Sequence, residues 1–122
     1  MTMFPILGTR AVDDVLGFYT DTVGAELLSQ DPFGAMLIHN KQAFRISVDP
    51  NFEPAPRSVL GWLVEDIDGR MDELTAKGVT FERYEMLEQD ERGVWTTPDG
   101  GARICWFLDP AGNILSLLQV RR

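Results

Sequence analysis

The stretch 105-CWFLDPAGNILSL-117 decides the fold. Its centre, 109-DPAGN-113, is a turn: Asp109 can hydrogen-bond forward to its own backbone, Pro110 presets φ, and Gly112 and Asn113 tolerate positive φ. Apolar runs on both sides make a β-hairpin of 102-ARICWFL-108 with 114-ILSLLQV-120. Pairing Leu108 with Ile114 sets Trp106 across from Ser116. Alternation then sends Leu115 and Leu117 to one face and Ile114, Ser116 and Leu118 to the other. A side chain held firmly just past a tight turn is well placed to meet a ligand, and at position 116 it is only a hydroxyl.

Upstream, 58-SVLGWLV-64 reads as a strand and Asp66 or Asp68 as the cap of a helix through Ile67, Met71 and Leu74. Gly78 stops that helix, and 79-VTFERYE-85 reads as the next strand. The first half has the same order. Residues 3-MFPIL-7 form a strand whose Pro5 marks an edge or a strand start. Asp13 or Asp14 caps a helix carrying Val15, Leu16, Phe18 and Tyr19, and Gly24 ends it. The strand 25-AELLS-29 follows, then 35-AMLIH-39 and 42-QAFRISV-48 around an Asn40-Lys41 hairpin turn. The Pro-rich 50-PNFEPAP-56 reads as a linker. The class is therefore α+β: a single domain over 1–122 built of two β-α-β-β-β modules, 1–52 and 57–122.

Composition narrows the partners. A chain of 122 residues, 44% hydrophobic and 25% charged, can bury a core of its own. A formal charge of −8 argues against nucleic acid and anionic membrane, which demand clustered Lys and Arg. The acidic group 88-EQDE-91 reads as solvated surface. No apolar run is long enough to span a bilayer, and MTMFPILGTR has neither the basic region nor the cleavage site of an export signal. Cys105 is the only cysteine, so no intrachain disulfide forms, and the expected location is cytoplasmic.

The segments 18-FYTDTVGAEL-27, 64-VEDIDGRMDELTAKGVTF-81 and 107-FLDPAGNILSL-117 together punctuate nearly the whole chain. In that order and spacing the sequence resembles the vicinal oxygen chelate superfamily, which includes glyoxalase I, extradiol dioxygenases and bleomycin-resistance proteins. The resemblance implies paired modules whose mixed sheets curl into a cup around a cavity, with the helices outside, and a homodimer. In metal-using members, four inward strand positions hold the ligands. Those positions fall here on Phe4, on or next to Val59, on Arg45 (or Ser47, two residues on) and on Ser116. None is a histidine or a carboxylate, so neither a metal nor another cofactor is expected.

The remaining residues agree with that expectation. The single histidine, His39, reads as an exposed side chain beside a turn, and Cys105 as inert core. Alternation sends Phe44, Ile46 and Val48 to the helix side, with Trp62, and leaves Arg45 and Ser47 on the open face with Phe4, Ile6 and Gly8. Trp95 lies in a long polar stretch, 86-MLEQDERGVWTTPDGG-101, of the kind that forms a lid, a binding loop or part of a dimer interface. The expected ligand-binding set is Phe4, Arg45, Ser47, Trp95, Trp106 and Ser116. Arg45 and Trp106 suggest a small organic ligand with an anionic or polar end and an apolar body. There is no catalytic set: no paired carboxylates, no Ser-His-Asp, no Cys-His. The favoured function is metal-free sequestration of such a molecule. The alternatives are a lyase, isomerase or dioxygenase using a displaced metal site or none, and a subunit whose role is protein association.

Overall fold

The computed structural model describes residues 1–121, and its chain divides into two compact units. One holds Met1–Pro56 together with Asp109–Asn113; the other holds Arg57–Leu108 and the residues from Ile114 onward. Each contains one four-stranded mixed sheet, which makes the architecture α+β.

In the first unit β1 (Ile6–Thr9) pairs parallel with β4 (Gln42–Val48), which runs antiparallel to β3 (Gly34–His39) and onward to β2 (Glu26–Asp31). The β3–β4 hairpin turns at Asn40 and Lys41, with φ of 48° and 66°, the left-handed pair that matches strand twist. Leu7, Leu37, Phe44 and Ile46 are buried on one face, where alternation puts them. The helix expected after Asp13 or Asp14 is irregular. A 3₁₀ turn, Val12–Asp14, begins at Ala11 without any side-chain cap, and a π-helical turn, Phe18–Val23, ends at Gly24 with φ 89°. Thr20 Oγ1 donates to the Leu16 carbonyl at 3.1 Å, a back-bond that loosens helical geometry. The result seats Tyr19 in the core against Phe44, with ring centroids 5.5 Å apart.

In the second unit β5 (Ser58–Leu63) pairs parallel with β8 (Ile114–Val120). β8 is antiparallel to β7 (Ala102–Leu108), which carries the short β6 (Trp95–Thr96) on its outer edge. The helix α1 (Ile67–Ala76) is capped by Asp66, whose Oδ1 accepts from the Gly69 N–H at 3.1 Å. Gly78 closes it with φ 94°, donating to the Thr75 carbonyl. Ile67 and Met71, one turn apart, are buried with Cys105, Phe107, Leu115 and Leu117. Trp62 belongs to the same side, stacked on Phe107 at 6.2 Å. Burial pushes the Cys105 thiol up to about 12, so it stays an inert thiol.

The strand expected over 79–85 does not form. Only Phe81 bridges to Phe107, and the Glu82 N–H donates to the Trp106 carbonyl at 2.8 Å. The chain then leaves the sheet, because the Gln89 side chain accepts from the Tyr84 N–H at 2.7 Å and donates to the Glu82 and Gly93 carbonyls. Asp90 Oδ1 accepts from the Arg92 and Val94 N–H groups, tightening the following turn. The segment 86–101 is thus a chain of hydrogen-bonded turns that leads Trp95 back onto β7.

Candidate functional site

The open face of the second sheet carries the densest group of candidates. Trp106 pairs with Ser116 across the β7–β8 hairpin, as the turn requires, and Cys105 and Leu117 point to the core instead. Tyr84 meets the Trp106 ring edge-on, with centroids 5.5 Å apart and an interplanar angle of 82°. Trp95, opposite Ile104 on β6, leans over the same indole at 6.5 Å. Beside these rings lies a pair of hydroxyls: Ser58 and Ser116 share a hydrogen bond of 2.9 Å. Gly61, the partner of Ser116 on β5, leaves that space open, since a Cβ there would stand 2.8 Å from Ser116 Oγ. Partial burial and the nearby Glu82 carboxylate raise the Tyr84 phenol above its ordinary value, which keeps it a neutral donor. The three rings are all half-buried, so they present aromatic surface to solvent.

On the first sheet the candidates lie in a single row across three strands. Gly8 of β1 pairs with Ser47 of β4, and Ser47 with Gly34 of β3. Arg45 leans along β4 onto this row. Its Nε donates to Ser47 Oγ at 3.2 Å, and its guanidinium lies beside Gly34 and 3.7 Å from Asp31 Oδ1. At the other end the Phe52 ring lies directly on Gly8, where any Cβ would overlap it. Phe52 comes from the stretch expected to be only a linker.

The sequence-derived set therefore falls into two groups. Arg45 and Ser47 stand together in the first unit, and Trp95, Trp106 and Ser116 in the second. Phe4 precedes β1, which begins at Ile6, and is 42% exposed. Val59 falls where the β5–β8 register shifts between Ser58 and Leu60. Trp95 is strand-held beside Trp106 and is not the tip of a free loop. Sequence reasoning missed Tyr84, Ser58 and Phe52. A phenylalanine inside a Pro-rich linker and a glycine inside a strand were the available signals for the last.

A divalent metal does not fit either face. The positions to which the resemblance assigns ligands hold Phe4, Val59, Arg45 (or Ser47) and Ser116, side chains without the imidazole, thiolate or carboxylate that such ions demand. Among the described residues, no three His, Cys, Asp or Glu side chains converge on one point. An open hollow of about 480 Å³ lies at the far ends of β5 and β8, lined by Leu63, Val64, Glu65, Gln119, Val120 and Arg121; it holds none of the candidates.

The fold is that of glyoxalase/bleomycin-resistance/dioxygenase proteins, which bears out the resemblance to the vicinal oxygen chelate superfamily at the level of structure. A protein of that description from Alicyclobacillus acidocaldarius superposes with a TM-score of 0.75 over 100% of this chain and 92% of its own, at 16% identity. Lactoylglutathione lyase from Agrobacterium tumefaciens gives 0.71 over 98% and 92%, at 19% identity. TnmS3, an antibiotic-binding protein from Streptomyces sp. CB03234, gives 0.66 over 99% and 98%, at 21% identity. No protein-family model and no curated protein matches the chain. Among the described residues no helix is long and apolar enough to cross a membrane.

Proposed function

We propose that this protein binds a small organic molecule without transforming it and without a metal, as a sequestering protein. The observation that carries the reading is the open face of the second sheet, where Trp106, flanked by the Tyr84 and Trp95 rings, stands across from Ser116, which shares a hydrogen bond with Ser58. Flat apolar surface with a few fixed polar groups suits an organic ring system bearing a hydroxyl or carbonyl. Two serine hydroxyls bonded to each other, with no base among their hydrogen-bond partners, make a recognition group and a poor nucleophile. An antibiotic-binding protein among the structures of the same fold is consistent with this use of the fold. The lyase among them makes catalysis the competing reading, and the lack of imidazole, thiolate or carboxylate at the positions the resemblance assigns to ligands weighs against a metal-dependent form.

The first sheet carries a separate polar candidate: Arg45 offers a guanidinium to an anionic ligand bound on that face, in competition with the loosely held, half-exposed Asp31. The reading also takes the protein to be a cytoplasmic homodimer, which light scattering on the purified protein tests for its second part. Tryptophan fluorescence titration with small aromatic acids and their amides tests the binding itself. Trp106→Ala should weaken acids and amides alike, by on the order of tenfold for a lost ring contact. On the first sheet, read by calorimetry, Arg45→Ala should weaken acids and leave amides unchanged. Unchanged titrations in Trp106→Ala would remove the second sheet's face from the site, and Trp62→Phe controls for the core indole.

A further inference from the structure

Phe52 has a seat of its own. Gly8, Ser47 and Gly34 form a row of minimal side chains across β1, β4 and β3. The ring of Phe52 rests on Gly8 so closely that a methyl group there would overlap it. The backbone that delivers the ring is fixed on both sides. The Asp49 N–H donates to the Thr9 carbonyl and the Phe52 N–H to the Asp49 carbonyl, both at 2.9 Å, while Arg10 Nε donates to the Phe52 carbonyl at 2.9 Å. Two positions along the same row, the Arg45 guanidinium lies beside Gly34, bonded to Ser47 Oγ and 3.7 Å from Asp31. A ring and a cation therefore sit at the two ends of one row, separated by a serine hydroxyl. With adjacent strands roughly 4.8 Å apart, the row spans about 9.6 Å, and the Arg45 Nε bonded to Ser47 stands about one spacing from Gly8, within reach of a carboxylate borne on a ring seated there.

We propose that Phe52 is an intramolecular occupant of an aromatic-ring seat, and that an aromatic carboxylate takes the seat by displacing it. The incoming ring replaces the Phe52 ring over Gly8, and the carboxylate meets Arg45, displacing the Asp31 contact. The segment 49–53 is the gate, and Phe52 sets the affinity by competing for its own site. This inference deepens the binding reading for the first sheet, and its first arm needs no ligand, so the two can fail separately.

That arm is a double-mutant cycle read by thermal unfolding. Gly8→Ala should lower the melting temperature in the parent, because the new methyl evicts the ring, and should be tolerated in the Phe52→Ala background. Equal effects of Gly8→Ala in both backgrounds would overturn the seat. The second arm titrates benzoate, benzamide and cyclohexylacetate by calorimetry. Phe52→Ala should bind benzoate at least about tenfold more tightly than the parent does, and more tightly than benzamide. Adding Gly8→Ala or Arg45→Gln should abolish the gain. Benzoate affinity equal in parent and Phe52→Ala, with circular dichroism showing both folded, would overturn the displacement while leaving binding on the second sheet untouched. A gain of equal size for benzoate and benzamide would overturn the role of Arg45.

Discussion

Asp109 is a carboxylate almost out of water, 4% exposed, and every bond it accepts is accounted for. Oδ1 takes the Ala111 and Asn113 N–H groups at 2.9 Å, while Oδ2 takes Asn113 Nδ2 at 2.8 Å and the Tyr19 hydroxyl at 2.6 Å. Asn113 also donates to the Gly8 carbonyl at 2.8 Å, so its side chain does the work that its tolerance of positive φ suggested for its backbone. The Asp109 turn was legible because its bonds to Ala111 and Asn113 are local. The third partner, Tyr19, lies 90 residues away, and no local pattern points to it. Burial first, then the charge of Asp109 and the hydrogen bond to it, raise the Tyr19 phenol well above its ordinary value. A raised phenol favours the fold fully below pH ~10, and that contribution fades as the pH climbs past the unfolded value. Tyr19→Phe should cost about 1–2 kcal/mol near neutrality, the usual cost of a lost buried hydrogen bond. Urea unfolding at pH 8 and pH 11 checks both points: the gap between parent and variant should narrow at the higher pH. A gap that widens would contradict this assignment.

At the scale of elements, α1 was readable from its cap, its apolar spacing and its stop, and its electrostatics were not. Asp68 in its first turn accepts from both Arg103 nitrogens, at 2.9 and 3.2 Å, and lies near Arg92, which also pairs with Asp72. The Arg103 hydrogen bonds hold its carboxyl below the ordinary carboxylate value against an opposing desolvation. A depressed carboxylate stabilises above its unfolded value and stops doing so as the pH falls through the folded one. Arg103→Gln should therefore lose less stability than the parent between pH 5 and roughly pH 3, by a small margin because the pair is partly exposed. A steeper acid loss in the variant would contradict the pairing. Asp66→Ala should cost about 1 kcal/mol, measured by chemical denaturation, as the Gly69 N–H loses its acceptor. The strand expected at 79–85 failed for a reason outside its own composition. Its alternation is real, and Phe81 does face Phe107, but the Gln89 side chain claims the Tyr84 N–H that a longer ladder would need.

For the whole molecule, the repeated order of elements was enough to recover two modules and the open face of each sheet. It was not enough to show that Asp109–Asn113 counts with the first unit while the strands flanking it count with the second. A fragment ending at Pro56 lacks that turn and leaves Tyr19 without Asp109. It should show no cooperative unfolding by circular dichroism, and a sharp two-state transition in the fragment would contradict the division. The candidate site was legible where strand register dictated it, at Trp106 and Ser116, and hidden where distant side chains complete it, at Tyr84 and Phe52. The central claim, binding of an organic molecule without a metal, is tested most directly by native mass spectrometry of the protein after exposure to a metabolite extract, with metal content measured on the same sample. The account predicts an organic adduct that Trp106→Ala loses, no stoichiometric transition metal, and a melting temperature unmoved by chelator. One tightly held metal per chain, with a melting temperature that falls when it is removed, would contradict it.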